Sequence, residues 1–260
     1  MRVPFVKMHG AGNDFVMIDD REGKFPAEAD RIAARASRGT GIGCEGVILV
    51  QKSDRADFRM RFFNPDGSEA ELCGNGARCV AAFAREIGAA VGDSMRFETL
   101  AGDVTAEIIP AMHSSPQVRI GMPIPKDLRV NYVNSGVPHC IVPVEDLKSV
   151  DVMEEGRRIR YSAEYAPAGT NVDFVRYLPP HEVEIRTYER GVEAETGACG
   201  TGSVAAAIVG VAQHGLAFPV RVRTVKGYEL VIDGVHNGEG FSAVTLTGPV
   251  CRVYEGCCDF

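Results

Sequence analysis

Apolar residues along the chain mostly alternate with polar ones at period two, with many β-branched side chains among them, which predicts a protein built chiefly of strands. The runs that carry this pattern are 15–18, 46–50, 58–63, 95–100, 104–109, 118–122, 140–144, 172–177, 183–188, 220–225, 228–232 and 241–246. Three segments read as helices instead. Residues 27–37 form an ordinary amphipathic pattern, whereas Cys79, Val80, Phe83 and Ile87 make a broad apolar face and 204–212 is apolar nearly all round. A helix of the latter two kinds has to be surrounded by other structure. Each is therefore expected at the centre of its own β-rich unit.

These two helices follow similar words. ELCGNGARCVAAF (71–83) and GACGTGSVAAAI (197–208) both place a cysteine before Gly-x-Gly and then a run of small apolar residues. Other landmarks repeat in the same order. A strand precedes each cysteine, and a strand ending in a glycine turn follows each helix, 29 residues after Cys73 at Gly102 and 28 after Cys199 at Gly227. Asn13 precedes Cys73 by 60 residues and His139 precedes Cys199 by 60. A duplicated domain explains the ordered set with one assumption. The seam is expected in the polar loop His113-Ser114-Ser115-Pro116, giving domains 1–114 and 115–249, with a C-terminal strand at 250–260 completing the first.

Composition narrows the setting. The 260 residues are 45% hydrophobic and 24% charged, with no apolar run near the roughly 20 residues of a membrane span, so a soluble globular chain with no membrane partner is expected. The N-terminal MRVPFVKMHGAGNDF has no basic head and apolar core of a secretory signal, which points to the cytoplasm. A net charge of −7 with scattered Lys and Arg offers no footprint for nucleic acid. The eight cysteines show no zinc-like spacing, so no metal is expected, and in a reducing compartment most should be inert. Cys79, Cys140 and Cys251 sit among small apolar residues and read as core. Cys44, in GIGCEG, is left open. Cys257 and Cys258 are expected to fray with the C-terminus.

Cys73 and Cys199 differ from these. A cysteine at a helix start has the positive end of the helix dipole and free backbone N–H groups beside its sulfur, so both thiols are expected to be acidified. The same N–H groups, at Gly74-Asn75-Gly76 and Gly200-Thr201-Gly202, can hold a carboxylate, with the glycines allowing close approach. If the two halves face each other, a substrate between them meets one sulfur on either side. One group then removes a proton from a carbon and the other returns one from the far face, which inverts a stereocentre without an organic cofactor. The helix N-termini would stabilise the charge that develops as the carbon becomes planar.

Other readings fit less well. No Gly-Lys-Ser/Thr follows either motif and neither completes GxGxxG, which argues against a phosphate cradle. A redox dithiol would place its cysteines in one C-x-x-C, and a cysteine hydrolase using His139 would leave one cysteine without a task. A purely structural capping cysteine explains one copy more readily than two.

The segments MHGAGNDFV (8–16), GIGCEGVIL (41–49), FFNPDGSEAELCGNGARC (62–79), GVPHC (136–140), GTNVDFV (169–175) and YERGVEAETGACGTGSVAAA (188–207) resemble, in order and over essentially the whole chain, the motifs of diaminopimelate epimerases. The double cysteine motif is shared with the wider superfamily of cofactor-independent amino-acid racemases; YERG and FNPDGS are more specific. The resemblance implies an α/β (α+β) fold of two pseudo-symmetric domains, each a mixed sheet curled around a central helix, with the active site in the cleft between them. It implies conversion of LL- to meso-diaminopimelate by Cys73 and Cys199, with His139 and Glu189 tuning or orienting the thiols. It implies substrate contacts from Asn13, Asn64, Gly74, Asn75, Asn171, Glu189, Arg190, Gly200 and Thr201. Oligomeric state is left open, a homodimer included.

The residues themselves are compatible with that assignment. Recognition of a distal amino-acid group needs a cation for carboxylate and acceptors for ammonium, which Arg190 with Asn64, Asn171 and Glu189 can supply. Each also has a structural explanation: Asn64 as a turn former, Glu189 and Arg190 as a surface pair, His139 as a satisfied core residue. One position departs from the resemblance. Val137 stands where many relatives carry asparagine, and valine can neither donate nor accept. A racemase for another polar amino acid with the same two cysteines is therefore the second reading. A non-enzymatic relative would be expected to lack at least one cysteine.

Overall fold

Strands dominate the computed structural model, which describes residues 2–110 and 115–260. The chain divides into two units by internal contacts, one of Met1–Ile120 with Gly248–Phe260 and one of Gly121–Thr247. The expected seam at residues 113–116 lies partly outside the described residues.

The first unit contains β1 (Arg2–Gly10), β2 (Asn13–Asp19), α1 (Ala29–Ala36), β3 (Gly46–Gln51), β4 (Phe58–Phe63), β5 (Glu69–Ala70), α2 (Gly74–Glu86), β6 (Ser94–Thr99), β7 (Gly102–Ile109) and β8 (Gln117–Gly121). The second contains β9 (Lys126–Arg129), β10 (Tyr132–Asn134), β11 (Pro138–Pro143), α3 (Val152–Arg160), β12 (Asn171–Leu178), β13 (Glu182–Glu189), β14 (Ala194–Thr196), α4 (Gly200–Gln213), β15 (Val220–Thr224) and β16 (Glu229–His236). The last strand, β17 (Phe241–Asp259), begins in the second unit and ends in the first.

Strand pairing within the two units follows one scheme. In the first, β1–β2, β3–β4, β6–β7 and β7–β8 are antiparallel, while β2–β3 and β4–β6 are parallel. In the second, β10–β11, β12–β13, β15–β16 and β16–β17 are antiparallel, while β11–β12 and β13–β15 are parallel. Parallel neighbours need a crossover connection, and a helix lies in every one: α1 and α2 in the first unit, α3 and α4 in the second. The duplication read from cysteine spacing is thus a duplication of topology.

The central helices are enclosed by sheet. α2 packs on β1, β2, β3, β4 and β7, and α4 on β10, β11, β12, β13, β15 and β16. In α4 every residue from Gly202 to Gly210 is buried, so the all-round apolar pattern of that segment is the cost of leaving it no solvent face. Alternation along β3 divides its side chains between two layers. Val47 and Leu49 join Ile32 and Ala36 of α1 in one apolar cluster, while Ile48 points to Gly76 of α2. Fully burying one such side chain is worth about 1.5–3 kcal/mol. α3 covers the matching face of the second unit, packing Val152 with Val172, Phe174 and Tyr188.

Several elements escaped the pattern. β1 carries Lys7 and His9 inside a strand, and β5, β9, β10 and β14 are too short to alternate visibly. α3 is so charged that only Val152, Gly156 and Ile159 mark its inner side. Yet Asp151 caps it by accepting from Met153 N–H and Glu154 N–H, with Glu154 and Glu155 in the first turn and three arginines in the last. The C-terminus does not fray: Cys257 and Cys258 lie in β17, opposite Pro4 and Val3 of β1, because ladder hydrogen bonds to β1 hold the terminal residues. Cys44 is a core residue, 2% exposed and packed with Ile32 and Val47. Cys79 and Cys140 are buried as expected, whereas Cys251 is half-buried with its sulfur 2.7 Å from Ser115 Oγ. Among the described residues no helix is long and apolar enough to cross a membrane.

Candidate active site

In the first unit the chain reverses tightly between β1 and β2. Gly10 pairs with Asn13, and the two residues between them, Ala11 and Gly12, have φ of 52° and 83°, as a two-residue hairpin turn requires. The turn seats Asn13 beside the start of α2, where Cys73 is the N-cap and its sulfur lies 3.7 Å from Asn13 Oδ1. A Cβ on Gly10 would stand 2.8 Å from the carbonyl oxygen of Asn75, so only glycine lets the hairpin approach this helix end. Asn13 Nδ2 donates to Glu45. Behind it Asp14 pairs with Lys7 at 2.6 Å and with Arg38 at 2.6 Å. Burial works against the Asp14 carboxylate, but hydrogen bonds and charge from Arg38 and Lys7 outweigh it and hold its pKa below the usual range.

Asn75 is 3% exposed and turns inward, its Oδ1 accepting from Arg78 Nη2 at 2.7 Å. Arg78 is fully buried inside α2, donates also to the carbonyl of Gly74 at 3.2 Å, and faces Cys73 and Cys79 electrostatically. Desolvation lowers its pKa to about 10, which leaves it charged at neutral pH. Sequence reasoning passed over this cation; an arginine in the middle of GNGARCVAAF, on an otherwise apolar helix, was the available signal. Asn64 lies in the loop after β4, donating Nδ2–H to Ser68 Oγ at 3.1 Å while its backbone N–H reaches Ser68 O at 2.9 Å. It forms a turn.

In the second unit Cys199 caps α4, and its sulfur accepts from Gly202 N–H at 3.4 Å and stands 3.4 Å from Thr201 Oγ1. His139, at the start of β11, is fully buried between Thr201 Oγ1 (3.0 Å from Nε2) and Asp173 Oδ2 (2.6 Å from Nδ1). The other Asp173 oxygen accepts from Thr187 Oγ1 at 2.7 Å. The turn leading into β11 is tied to the same helix end, since Ser135 Oγ donates to the carbonyl of Thr201 at 2.9 Å. Val137 lies in this turn, its carbonyl accepting Ser135 N–H at 3.2 Å.

Asn171 is committed to backbone at both ends of its amide, donating to Pro138 O at 3.0 Å and accepting Arg190 N–H at 2.8 Å. It fixes the turn after β13 that carries Arg190, a half-buried residue whose guanidinium makes long contacts, 3.4 and 3.5 Å, to the carbonyls of Ala168 and Gly169. Glu189, the residue before it, bears on Cys199 electrostatically.

The expectation of two acidified thiols needs correction at Cys199. Its pKa is raised well above the ordinary cysteine value, first by burial and then by the negative charges of Glu189 and Asp173, against which the hydrogen bonds from Thr201 and Gly202 are insufficient. At neutral pH Cys199 is a thiol. The glycines also have a role other than admitting an anion: a Cβ on Gly202 would lie 2.5 Å from Asp173 Oδ1 and one on Gly76 would lie 2.8 Å from Ile48 Cδ1. The second glycine of each motif lets the helix sit against its sheet. Gly74 has ordinary space beside it, with Ile120 Cδ1 at 3.8 Å.

The structure therefore gathers Asn13, Cys73, Gly74 and Asn75 at one helix start, and His139, Glu189, Cys199, Gly200 and Thr201 around the other, while Asn171 and Arg190 are joined to each other and, through Pro138, to the residue before His139. Asp173, unremarked in the sequence, is the buried anion of the second group.

The diaminopimelate epimerase family model matches residues 5–124 and 131–253. The chain is 43% identical to the diaminopimelate epimerase of Aquifex aeolicus, over 97% of this chain and 96% of that protein. It is 40% identical to that of Chlorobaculum tepidum, over 96% and 98%. Among solved structures it is similar to a Bacillus anthracis phenazine biosynthesis protein of the PhzF family, with a TM-score of 0.77 at 19% identity over the full length of both chains. It is also similar to a hydroxyproline epimerase from Agrobacterium vitis with bound trans-4-hydroxy-L-proline, with a TM-score of 0.71 at 17% identity over 98% of this chain and 92% of that one. Those two likenesses speak for the fold; identity near 40% across nearly the whole length speaks for more, and this chain belongs to the diaminopimelate epimerase family.

Proposed function

We propose that this protein is an isomerase that epimerises LL-diaminopimelate to the meso form, serving lysine biosynthesis, with Cys73 and Cys199 as the acid/base pair. The observation that carries the two-thiol assignment is their equivalence: each is the N-cap of the helix that fills its unit, at the same place in a duplicated topology. A single acid/base cysteine would not call for this repetition. Family membership supplies the substrate.

In the direction that uses Cys73 as base, its thiolate takes the α-proton while Cys199, a thiol at neutral pH, gives its proton to the opposite face. The electrons left on carbon delocalise into the α-carboxylate, and the backbone N–H groups at Gly74-Asn75 and Gly200-Thr201 receive the added negative charge. Asn13 orients the Cys73 sulfur. Arg190, with Glu189 and Asn64, reads the distal amino-acid group, and Asn171 holds Arg190 in place by its backbone. Eight free cysteines, two of them required in the reduced state, suit the reducing cytoplasm.

Incorporation of solvent deuterium at the α-carbon of diaminopimelate, under reducing conditions, tests this assignment. Exchange that depends on both cysteines supports it. Exchange into lysine or histidine but not diaminopimelate would replace the substrate.

A further inference from the structure

Four groups in the second unit form an unbroken chain from the sulfur to a buried carboxylate. Cys199 Sγ is 3.4 Å from Thr201 Oγ1, Thr201 Oγ1 is 3.0 Å from His139 Nε2, and His139 Nδ1 is 2.6 Å from Asp173 Oδ2. Both His139 and Asp173 are 0% exposed. Asp173 can only accept, so Nδ1 carries the hydrogen and, in the neutral ring, Nε2 is left as an acceptor. Thr201 O–H then donates to Nε2, and its oxygen lone pairs face the thiol.

We propose that the Thr201 hydroxyl relays a proton between Cys199 and His139, with Asp173 holding the ring to receive it. This rests on the reading of Cys199 as one of the two acid/base groups. In the step, the S–H bond breaks as that proton bonds to Thr201 Oγ1, and the hydroxyl's own proton passes to His139 Nε2. Thr201 ends as a hydroxyl turned towards sulfur. A neutral thiol and neutral imidazole become thiolate and imidazolium, with no proton gained or lost.

The surroundings explain why such a route is useful. Among the described residues, the titratable groups that act on this hydrogen-bond chain include Tyr177 on β12, Glu189 on β13 and Cys140 on β11. A bare thiolate at Cys199 is opposed first by burial and then by Glu189 and Asp173, yet epimerisation must run in both directions and so must start from that thiolate in one of them. A proton stored on His139 leaves a cation between Asp173 and the sulfur and offsets the Asp173 part of that opposition. It also remains within two hydrogen bonds of the sulfur that needs it back.

The test compares Thr201→Val, Thr201→Ser and Asp173→Asn with the parent enzyme. The pH dependence of Cys199 alkylation by iodoacetamide is followed by peptide mass mapping without substrate, and kcat and KM are measured beside it. Valine is expected to move alkylation at least about one pH unit upward and to lower kcat by about 10²- to 10⁴-fold, the range of a lost acid/base contribution, whereas serine preserves both. Asp173→Asn removes both the group that holds His139 and a charge that opposes the thiolate directly, so the sign of its shift separates the two: an upward shift supports the relay and covers the case in which the valine variant does not fold, whereas a downward shift would overturn the part given to Asp173. Coincident alkylation profiles for Thr201→Val and the parent, or equal behaviour of the valine and serine variants, would overturn the relay. Undiminished turnover by Cys199→Ala would instead overturn the two-thiol reading beneath it.

Discussion

Asp173 grips His139 while standing against the helix that Cys199 caps: its Oδ2 is 2.6 Å from His139 Nδ1, and its Oδ1 lies 2.5 Å from where a Cβ on Gly202 would stand. One buried carboxylate thus fixes both the imidazole and the seat of α4. Replacing it by asparagine keeps the size but presents a neutral amide to the ring and to Thr187. A loss of about 1–3 kcal/mol in unfolding free energy is expected, measured by urea titration. The ¹⁵N shifts of His139 should show loss of the Nδ1–H tautomer if the carboxylate is what fixes it; an unchanged tautomer would assign that role elsewhere.

Gly202 and Gly74 differ in a way that stability measurements should resolve. Alanine at 202 meets Asp173 Oδ1 at 2.5 Å, and overpacking of this kind costs about 1–3 kcal/mol. Alanine at 74 meets only Ile120 Cδ1 at 3.8 Å. Thermal unfolding should therefore show a lower Tm for Gly202→Ala than for Gly74→Ala. The reverse order would mean that close helix–sheet approach is not the reason for the second glycine.

Alkaline pH should destabilise the fold under reducing conditions. Burial raises the pKa of Cys44, Cys79, Cys140 and Cys199 above the value of an unfolded cysteine. In the interval between the unfolded and folded values the unfolded chain has released protons that the native state still holds, so stability is full below about pH 8.5 and falls as pH rises above it. Cys79→Ala removes one of these groups and should flatten the decline in Tm between about pH 8.5 and 10.5. An identical slope in that variant would show that Cys79 does not contribute.

Much of the fold was legible because alternation and duplication are properties of the sequence itself. β4, Phe58–Phe63, spans the residues its alternation marks, and the Cys73 and Cys199 words mark the two central helices. β1 was hidden by Lys7, a buried cation that no pattern of apolar residues anticipates, stabilised through Asp14. The thiol state of Cys199 was misjudged for a similar reason. A helix start is a local feature, whereas the burial of that sulfur, and the carboxylates of Glu189 and Asp173 beside it, come only with the fold. Arg78 and Asp173 were likewise visible as letters but not as buried charges.

Distal recognition can be separated from the chemistry at the α-carbon. If Arg190 binds the second carboxylate, Arg190→Met should raise KM for diaminopimelate by about ten- to a hundredfold, the worth of one charge-assisted hydrogen bond. A monocarboxylate such as lysine should be affected much less. Equal losses on both substrates would mean that Arg190 supports the turn after β13. Val137→Asn, which adds an amide to the turn before β11, should lower KM for diaminopimelate if the distal group lies against that turn, and raise it if the amide is buried without a partner.

The two-thiol assignment is tested most directly by one comparison: the rate at which solvent deuterium enters the α-carbon of diaminopimelate, followed by mass spectrometry, for the parent protein, Cys73→Ala, Cys199→Ala and Cys79→Ala under reducing conditions. Removing a catalytic acid/base group should cost at least about 10²-fold, so either of the first two substitutions should abolish epimerisation while Cys79→Ala leaves it largely intact. Near-parental epimerisation in Cys73→Ala or in Cys199→Ala would contradict the account.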